Sequence, residues 1–290
     1  MQEVRCGLIG AGISMSLSPS LHQAEGRHHN LAVTYSLIDV DTIAAEVSLA
    51  DLLISAQNEG YVGLNITHPY KQAILAELDE LSPHARAIGA VNTVVFHDGR
   101  RIGHNTDAYG FAEAFRRDLP GECRERVVQL GAGGAGAACA HAQLADGVGH
   151  LTIIEPDERR RADLAAALAA SFGQDRITHA PPDGLADAVA TADGIVNASP
   201  VGMRAHPGLP LPADLLRAGL WVFDVIYMPL PTALVTAARE RGLRATGGAG
   251  MCVFQAAGAF ELFTGRQPDT ERMLAHLRQL LDLPTSSQNS

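Results

Sequence analysis

The stretch Val127-Val128-Gln129-Leu130-Gly131-Ala132-Gly133-Gly134-Ala135-Gly136 decides the fold. A short apolar run suited to a buried strand gives way to glycines spaced G-x-G-x-x-G. Small residues then continue through Leu144 as a predicted helix. Strand, glycine turn and helix in that order form the context a dinucleotide-binding turn requires. The glycines permit a tight turn, close backbone approach to a pyrophosphate and helix–strand packing, and the helix N-terminus then faces the phosphates. The bare motif is weak evidence. Here the next apolar run, Leu151–Ile154, ends at Glu155, about 20 residues beyond the glycines, where a carboxylate accepts from a ribose 2′-hydroxyl. Glu155, with Asp157 beside it, favours NAD by repelling a 2′-phosphate. Arg159, Arg160 and Arg161 pull the other way, because guanidinium groups pair with phosphate, and NADP stays open.

Downstream, an alanine-rich helix is predicted over Arg159–Phe172, with strands at Ile195–Ala198, Trp221–Ile226 and Leu243–Ala245 and a proline-rich loop from Pro200 to Pro212. Upstream, the polar segment Leu119–Glu125 carries Pro-Gly and reads as a boundary. Before it, strands are predicted at Val4–Ile9, Val33–Leu37 and Tyr61–Thr67, a turn and strand over Ile88–Phe96, and a returning strand over Arg101–Asn105 after an Asp98-Gly99 hairpin turn. Helices are predicted from Ser18, as cap before Pro19, towards Asn30, over Asp41–Gln57, over Pro69–Leu81, and from Thr106-Asp107 through Phe115. This alternation predicts an α/β domain with a largely parallel sheet. Gly10-Ala11-Gly12 also follows a strand, but Met15 stands where a third glycine belongs, so it reads as a tight turn only. Two last helices are predicted, from Met251 through Phe263 and over Asp269–Leu281.

The 290 residues suffice for two domains, and 47% hydrophobic residues can fill sizeable cores. A formal net charge of −10 argues against a general nucleic-acid binder. Cys6, Cys123, Cys139 and Cys252 are scattered, with no CxxC pair, and the histidines show no ligand spacing, so neither a disulfide framework nor a metal is expected. The N-terminus lacks a signal-peptide pattern and no apolar run reaches spanning length, so a cytoplasmic protein with no membrane partner is expected.

The second chemical focus is Gly63-Leu64-Asn65-Ile66-Thr67-His68-Pro69-Tyr70-Lys71, a buried strand that ends in polar residues, turns at a proline and delivers a lysine. Strand ends are where α/β proteins hold ligands, and burial there lowers a lysine pKa towards acid/base work. Taken alone, the stretch favours the plainer reading of Lys71 as a solvated lysine on a helix start. It gains meaning from order. Ser16-Leu17-Ser18-Pro19, Asn65–Lys71, Gly89-Ala90-Val91-Asn92-Thr93 and Gly103-His104-Asn105-Thr106-Asp107 precede the glycine turn. Asn197-Ala198-Ser199-Pro200-Val201-Gly202-Met203, Asp224-Val225-Ile226-Tyr227 and Gly250-Met251 with Gln255 follow it. This series resembles the shikimate/quinate dehydrogenase family over nearly the whole chain, and within it the bacterial NAD-preferring quinate/shikimate dehydrogenases.

The resemblance implies two α/β domains flanking a cleft: an N-terminal substrate domain and a Rossmann-type dinucleotide-binding domain, the first completed by the C-terminal helices. Residues 1–110 with 254–283 would form the former, 111–253 the latter, and 284–290 a disordered tail. It implies Lys71 and Asp107 as the catalytic pair. Ser16 and Ser18 would hold the substrate carboxylate, and Thr67, Asn92 and Gln255 the ring hydroxyls. Tyr227 and Gly248 would stand where substrate meets nicotinamide. Cofactor contacts would come from Gly131, Ala132, Gly133, Gly134, Ala135, Gly136, Glu155, Asp157, Asn197, Met203, Val225 and Gly248. Where NADP-linked members carry an Asn-Arg-Thr/Ser-like stretch, this chain has Glu155-Pro156-Asp157.

The implied reaction oxidises a ring secondary alcohol of shikimate or quinate to the 3-dehydro ketone. Lys71 is expected to carry the hydroxyl proton and Asp107 to orient it, although Asp107 also favours the charged lysine, so the proton assignment within the pair stays open. Alternatives are an NADP-linked shikimate dehydrogenase of aromatic amino-acid biosynthesis, an aminoshikimate-type paralogue, and a non-catalytic nucleotide sensor. Monomer and homodimer are equally compatible with the sequence.

Overall fold

The structure is a computed structural model that describes residues 1–43 and 47–282. The expected tail 284–290 and part of the expected helix 41–57 lie outside the described residues. The chain divides into two compact units, Met1–Thr106 with the residues from Val253 onward, and Asp107–Cys252.

The first unit opens with β1 (Gln2–Gly10), α1 (Ser18–His28), β2 (Leu31–Asp39), α2 (Leu49–Asn58) and β3 (Gly63–Ile66). It continues with β4 (Glu80–Leu81), α3 (Pro83–Ile88), β5 (Thr93–His97) and β6 (Arg100–His104). The sheet order is β2-β1-β3-β5-β6-β4. It is largely parallel with one reversed strand: β1 pairs parallel with β2 and β3, and β4 with β6, while β5 runs antiparallel to β3 and β6. The turn Asp98-Gly99 enforces this. Both residues hold positive φ, 49° and 76°, and a two-residue turn leaves no length for a crossover.

Two sequence expectations change here. The stretch Pro69–Leu81 is not an α-helix. The Lys71 carbonyl accepts from the Val91 N–H at 2.8 Å, so a long-range partner takes the group the helical ladder needs. The chain forms turns and a 3-10 segment over Ala73–Glu77 before entering β4. At α1, the helix caps at Leu17 and not at Ser18, whose N–H lies 3.3 Å from Ser16 Oγ. Helix α3 was not anticipated, although Ser82 caps it, Pro83 starts it and left-handed Gly89 ends it.

The second unit comprises α4 (Asp107–Asp118), β7 (Arg126–Leu130), α5 (Gly134–Ala145), β8 (His150–Ile154), α6 (Glu158–Phe172) and β9 (Ile177–Ala180). Then come α7 (Leu185–Ala190), β10 (Gly194–Asn197), β11 (Trp221–Asp224), α8 (Ala233–Glu240) and β12 (Arg244–Thr246). The order β12-β11-β10-β7-β8-β9 is parallel throughout. This is the doubly wound dinucleotide-binding order, with its switch point between β7 and β10. One face buries Val128, Ile195 and Val222 against Leu185, Leu216 and Leu234. On α4, Phe115 meets Trp221 edge-on at 4.9 Å and Phe111 meets Phe223 at 4.7 Å. Short edge strand β9 and six-residue α7 left little periodicity to read.

The chain then forms α9 (Ala249–Thr264) and α10 (Thr270–Asp282). From Val253 onward these belong to the first unit. Phe260 and Phe263 of α9 pack on Val4, Leu31, Cys6 and Leu8. Helix α10 is tied to α1 by charge. Glu25, 1% exposed, accepts from Arg272 Nε at 2.9 Å and Nη2 at 2.5 Å, and from the Asp269 N–H at 2.9 Å. Burial opposes ionisation of Glu25, but the Arg272 fork, the Asp269 N–H and His29 outweigh it and hold the carboxyl below its ordinary range.

Arg272→Ala is therefore expected to cost about 1–3 kcal/mol at neutral pH, read by urea denaturation. Because the Glu25 pKa is depressed on folding, its contribution is present above the unfolded carboxylate pKa and is lost as the solution is acidified through the folded value. The variant should lose less stability than the parent between neutral and acid pH. An equal acid response in both would count against the tie.

Candidate active site

In the first sheet, β1, β3 and β6 run in one sense and β5 in the other, so the segments after Gly10, Ile66 and His104 and the one before Thr93 share one edge. Ser16, Ser18, Thr67, Lys71, Asn92 and Thr106 lie on those segments, and Asp107 follows Thr106 by one peptide bond. Main-chain bonds fix the segments: Thr67 N–H to the Ile9 carbonyl at 2.9 Å, Ala11 N–H to the His68 carbonyl at 3.0 Å, and Lys71 to Val91 as above. The Ser16 and Ser18 hydroxyls stand 3.2 Å apart. Lys71 is half-buried and Asp107 is buried.

Asn92 is 3% exposed. Its Oδ1 accepts from the Thr106 N–H at 2.7 Å and the Thr93 hydroxyl at 3.0 Å, and its Nδ2 donates to Thr106 Oγ1 at 2.8 Å. Gln255 is half-buried on α9. The Gly10-Ala11-Gly12 turn is closed to phosphate for a physical reason. Asp39, at the end of β2, takes the Gly12 and Ile13 N–H groups at 3.0 and 2.9 Å.

In the second unit, the glycine turn joins β7 to α5 at the switch point. Gly131 has φ of 99°, and a Cβ there would lie 2.7 Å from the Ala198 carbonyl oxygen. At Gly136 a Cβ would lie 2.5 Å from the Gly131 carbonyl oxygen. These two glycines are required by the protein itself. Gly133 is different: a Cβ there would meet no atom within 4 Å among the described residues. It caps α5 with no side chain, leaving the helix N-terminus open beside Ala132, Gly134 and Ala135.

Gln129, absent from the sequence-derived site, braces the turn. Its Nε2 donates to the Gly131 and Gly136 carbonyls at 2.9 Å each, and its Oε1 accepts from Gln143 at 2.7 Å. On an apolar strand it carried no signal beyond being polar.

Glu155 is 8% exposed. Its Oε2 accepts from the Ala132 N–H at 3.0 Å and its Oε1 from the Asp157 N–H at 3.1 Å. Asp157 caps α6 through the Arg160 N–H at 3.0 Å, and that bond holds its carboxyl below the ordinary range. Arg161 turns inward to the Glu155 and Pro156 carbonyls, whereas Arg159 and Arg160 are exposed.

The ends of β10 and β11 form a buried polar brace. Asn197 donates both amide hydrogens, to the Val201 carbonyl at 3.1 Å and Asp224 Oδ1 at 3.0 Å, and its Oδ1 accepts from the Ser199 N–H and hydroxyl. Its amide is thereby saturated. Asn197 shapes the loop before Met203 in this way. Asp224 also accepts from Ile226 N–H and Thr232 Oγ1, and burial pushes its carboxyl up to about 6. Met203 is 44% exposed, and Tyr227 is half-buried. Gly248 is fixed sterically: a Cβ would lie 2.0 Å from the Val225 carbonyl oxygen.

Free space around the Gly133 Cα, a helix N-terminus without a side-chain cap and a buried carboxylate at the next strand end fit a dinucleotide. Fold and site define a two-unit oxidoreductase with a Rossmann-type half. Residues 8–94 match the shikimate dehydrogenase substrate binding domain, and residues 248–278 the shikimate 5′-dehydrogenase C-terminal domain. The chain is 54% identical to the shikimate dehydrogenase (NADP(+)) of Streptomyces avermitilis, over 94% of each chain. It is 46% identical to the quinate/shikimate dehydrogenase (NAD(+)) of Corynebacterium efficiens, over 93% of this chain and 95% of that one. The solved quinate dehydrogenase from Corynebacterium glutamicum in complex with NAD superposes with a TM-score of 0.90 at 42% identity, covering 96% of this chain and all of that one. The chain belongs to the shikimate dehydrogenase family.

The two kinds of glycine separate in a stability measurement. Gly248→Ala should lose about 3 kcal/mol through overpacking, and Gly133→Ala under about 1 kcal/mol, as a change of cap residue. Equal losses in thermal or urea melts would contradict the distinction.

Proposed function

We propose that the chain is a reversible dehydrogenase that oxidises a ring hydroxyl of shikimate, quinate or both to the 3-dehydro ketone, with NAD as the working cofactor. The observation that carries the reading is the gathering of Ser16, Ser18, Thr67, Lys71 and Asn92 on one sheet edge, with Asp107 a single bond beyond Thr106. Paired hydroxyls before a helix suit a carboxylate. Neutral polar groups at strand ends suit vicinal hydroxyls. In this reading Thr67, Asn92 and Gln255 hold the ring.

The alcohol must lose a hydride from carbon and a proton from oxygen. Bound NAD supplies the hydride acceptor. Lys71 takes the hydroxyl proton and Asp107 orients it. Asp157 contributes through its cap, and Met203, Val225 and Gly248 by shaping the wall. Glu155 supports NAD, because its buried carboxylate opposes a 2′-phosphate. The exposed Arg159 and Arg160 support the second reading, NADP-linked shikimate oxidation.

The test is steady-state kinetics with each acid and each cofactor, following reduced nicotinamide by absorbance. Turnover of shikimate or quinate with NAD is expected. Silence with both acids and both cofactors would sink the reading. Lys71→Ala should lower kcat at least about 100-fold while leaving NAD affinity within about twofold. Near-full turnover in that variant would remove Lys71 from the chemistry. Glu155→Gln should shift the NADP-to-NAD ratio of kcat/KM towards NADP by about tenfold. An unchanged ratio would place cofactor choice elsewhere.

A further inference from the structure

We infer that Tyr35, on β2, is a positioning residue for this site, acting through a buried chain of hydrogen bonds that ends on Asn92 and Thr106; the inference rests on the reading of Asn92 as a substrate-binding group. Tyr35 is 5% exposed, and its ring lies against His22 with centroids 4.6 Å apart. Its hydroxyl donates to Asn65 Oδ1 at 2.8 Å. Asn65 Nδ2 donates to Thr93 Oγ1 at 2.9 Å and to the Asn92 carbonyl at 3.2 Å. The Thr93 hydroxyl donates to Asn92 Oδ1, which also receives the Thr106 N–H.

The direction of every link is determined. A backbone carbonyl only accepts, so the Asn92 carbonyl fixes which end of the Asn65 amide is Nδ2. Asn65 Oδ1 therefore faces Tyr35, and the phenol must donate. A backbone N–H only donates, so Thr106 fixes Asn92 Oδ1 at the other end. Thr93, accepting from Asn65, has its one proton left for Asn92. Asn92 is left with Nδ2 donating to Thr106 Oγ1. Among the described residues, the Tyr35 hydroxyl is the one donor to Asn65 Oδ1. Removing it leaves a buried acceptor unpaired and frees the Asn65 amide to turn, which loosens Thr93 and then Asn92. Tyr35 touches neither substrate nor cofactor in this scheme. It sets the rotamer and polarity of a group that does.

The experiment compares Tyr35→Phe, Thr93→Val and the double variant, with Thr93→Val cutting the same chain at a later link in a residue of similar shape. Each single change should lower kcat/KM for the acid about tenfold and leave NAD affinity within about twofold. The double variant should lose no more than the worse single, because a chain cut twice is cut once. Losses that multiply, or that fall equally on NAD affinity, would overturn the inference. Hydrogen exchange at the Thr106 amide is followed in parallel and does not depend on which substrate is turned over. It should accelerate in Tyr35→Phe relative to amides of β1, and unchanged protection of Thr106 would also overturn the inference. A wild-type protein inactive on both acids would instead remove the substrate reading, while the exchange result still decides the positioning role.

Discussion

In each unit a carboxylate at the end of one parallel strand reaches across to the turn that leaves the neighbouring strand. Asp39 holds the turn after β1, and Glu155 holds the turn after β7. The same connection, strand to glycine-containing turn to helix to strand, generates both contacts. The difference lies in how many turn amides each consumes. Asp39 spreads both oxygens over two successive N–H groups, Gly12 and Ile13, so that turn is filled by the protein's own anion. Glu155 takes only Ala132 from its turn and uses its other oxygen on Asp157. The remaining amides at the start of α5 keep their partial positive charge for an outside anion. One device thus closes one turn and holds the other open.

The rest of the site follows from what sheet edges can hold. Backbone bonds fix the segments that carry Thr67, Lys71 and Asn92, so their side chains start from a rigid frame. Polar groups buried there are costly unless paired, and each pairing restricts a rotamer. The Asn65, Thr93 and Asn92 series and the Asn197, Asp224 and Thr232 brace are the same solution in the two units. Buried amides paired with protein groups hold the loops that follow the strand ends. Asp224 shows what this costs. Its carboxyl accepts from Asn197, Ile226 and Thr232, yet burial still raises it to about 6, so desolvation exceeds what three donors return.

What the sequence disclosed was what local chemistry determines. The strand, glycine turn and helix at Leu130–Leu144 needed no distant partner to be read, nor did the Asp98-Gly99 hairpin. Lys71 was found as a residue but misplaced in an α-helix, because the bond that diverts its carbonyl comes from Val91, twenty positions along the chain. Asn197 was recognised by its motif, but its saturation depends on Asp224, another strand's end. Gln129 and Tyr35 gave no signal at all. A polar residue in an apolar strand, or a tyrosine in another, reads as core until its partner is known. Helix α3 is marked locally at both ends, by Ser82-Pro83 and by Gly89.

The Glu155 contacts also bear on how firmly a cofactor choice is built in. A surface carboxylate beside a 2′-phosphate could swing aside at little cost. Glu155 cannot, because leaving would unpair the Ala132 and Asp157 N–H groups together. Ala132 is buried, and a buried donor left unpaired costs about 1–3 kcal/mol, so rearrangement costs about as much as a tenfold preference. The competing arginines carry no such restraint. Arg159 is 91% exposed beside Asp163, and Arg160 is 66% exposed beside Asp157, where solvent screens both. The Glu155 carboxylate is buried and bonded, whereas Arg159 and Arg160 are exposed. The buried group is the restrained one of the two, so on the proposed reading the Glu155 strand end, more than the arginine run after it, selects the cofactor.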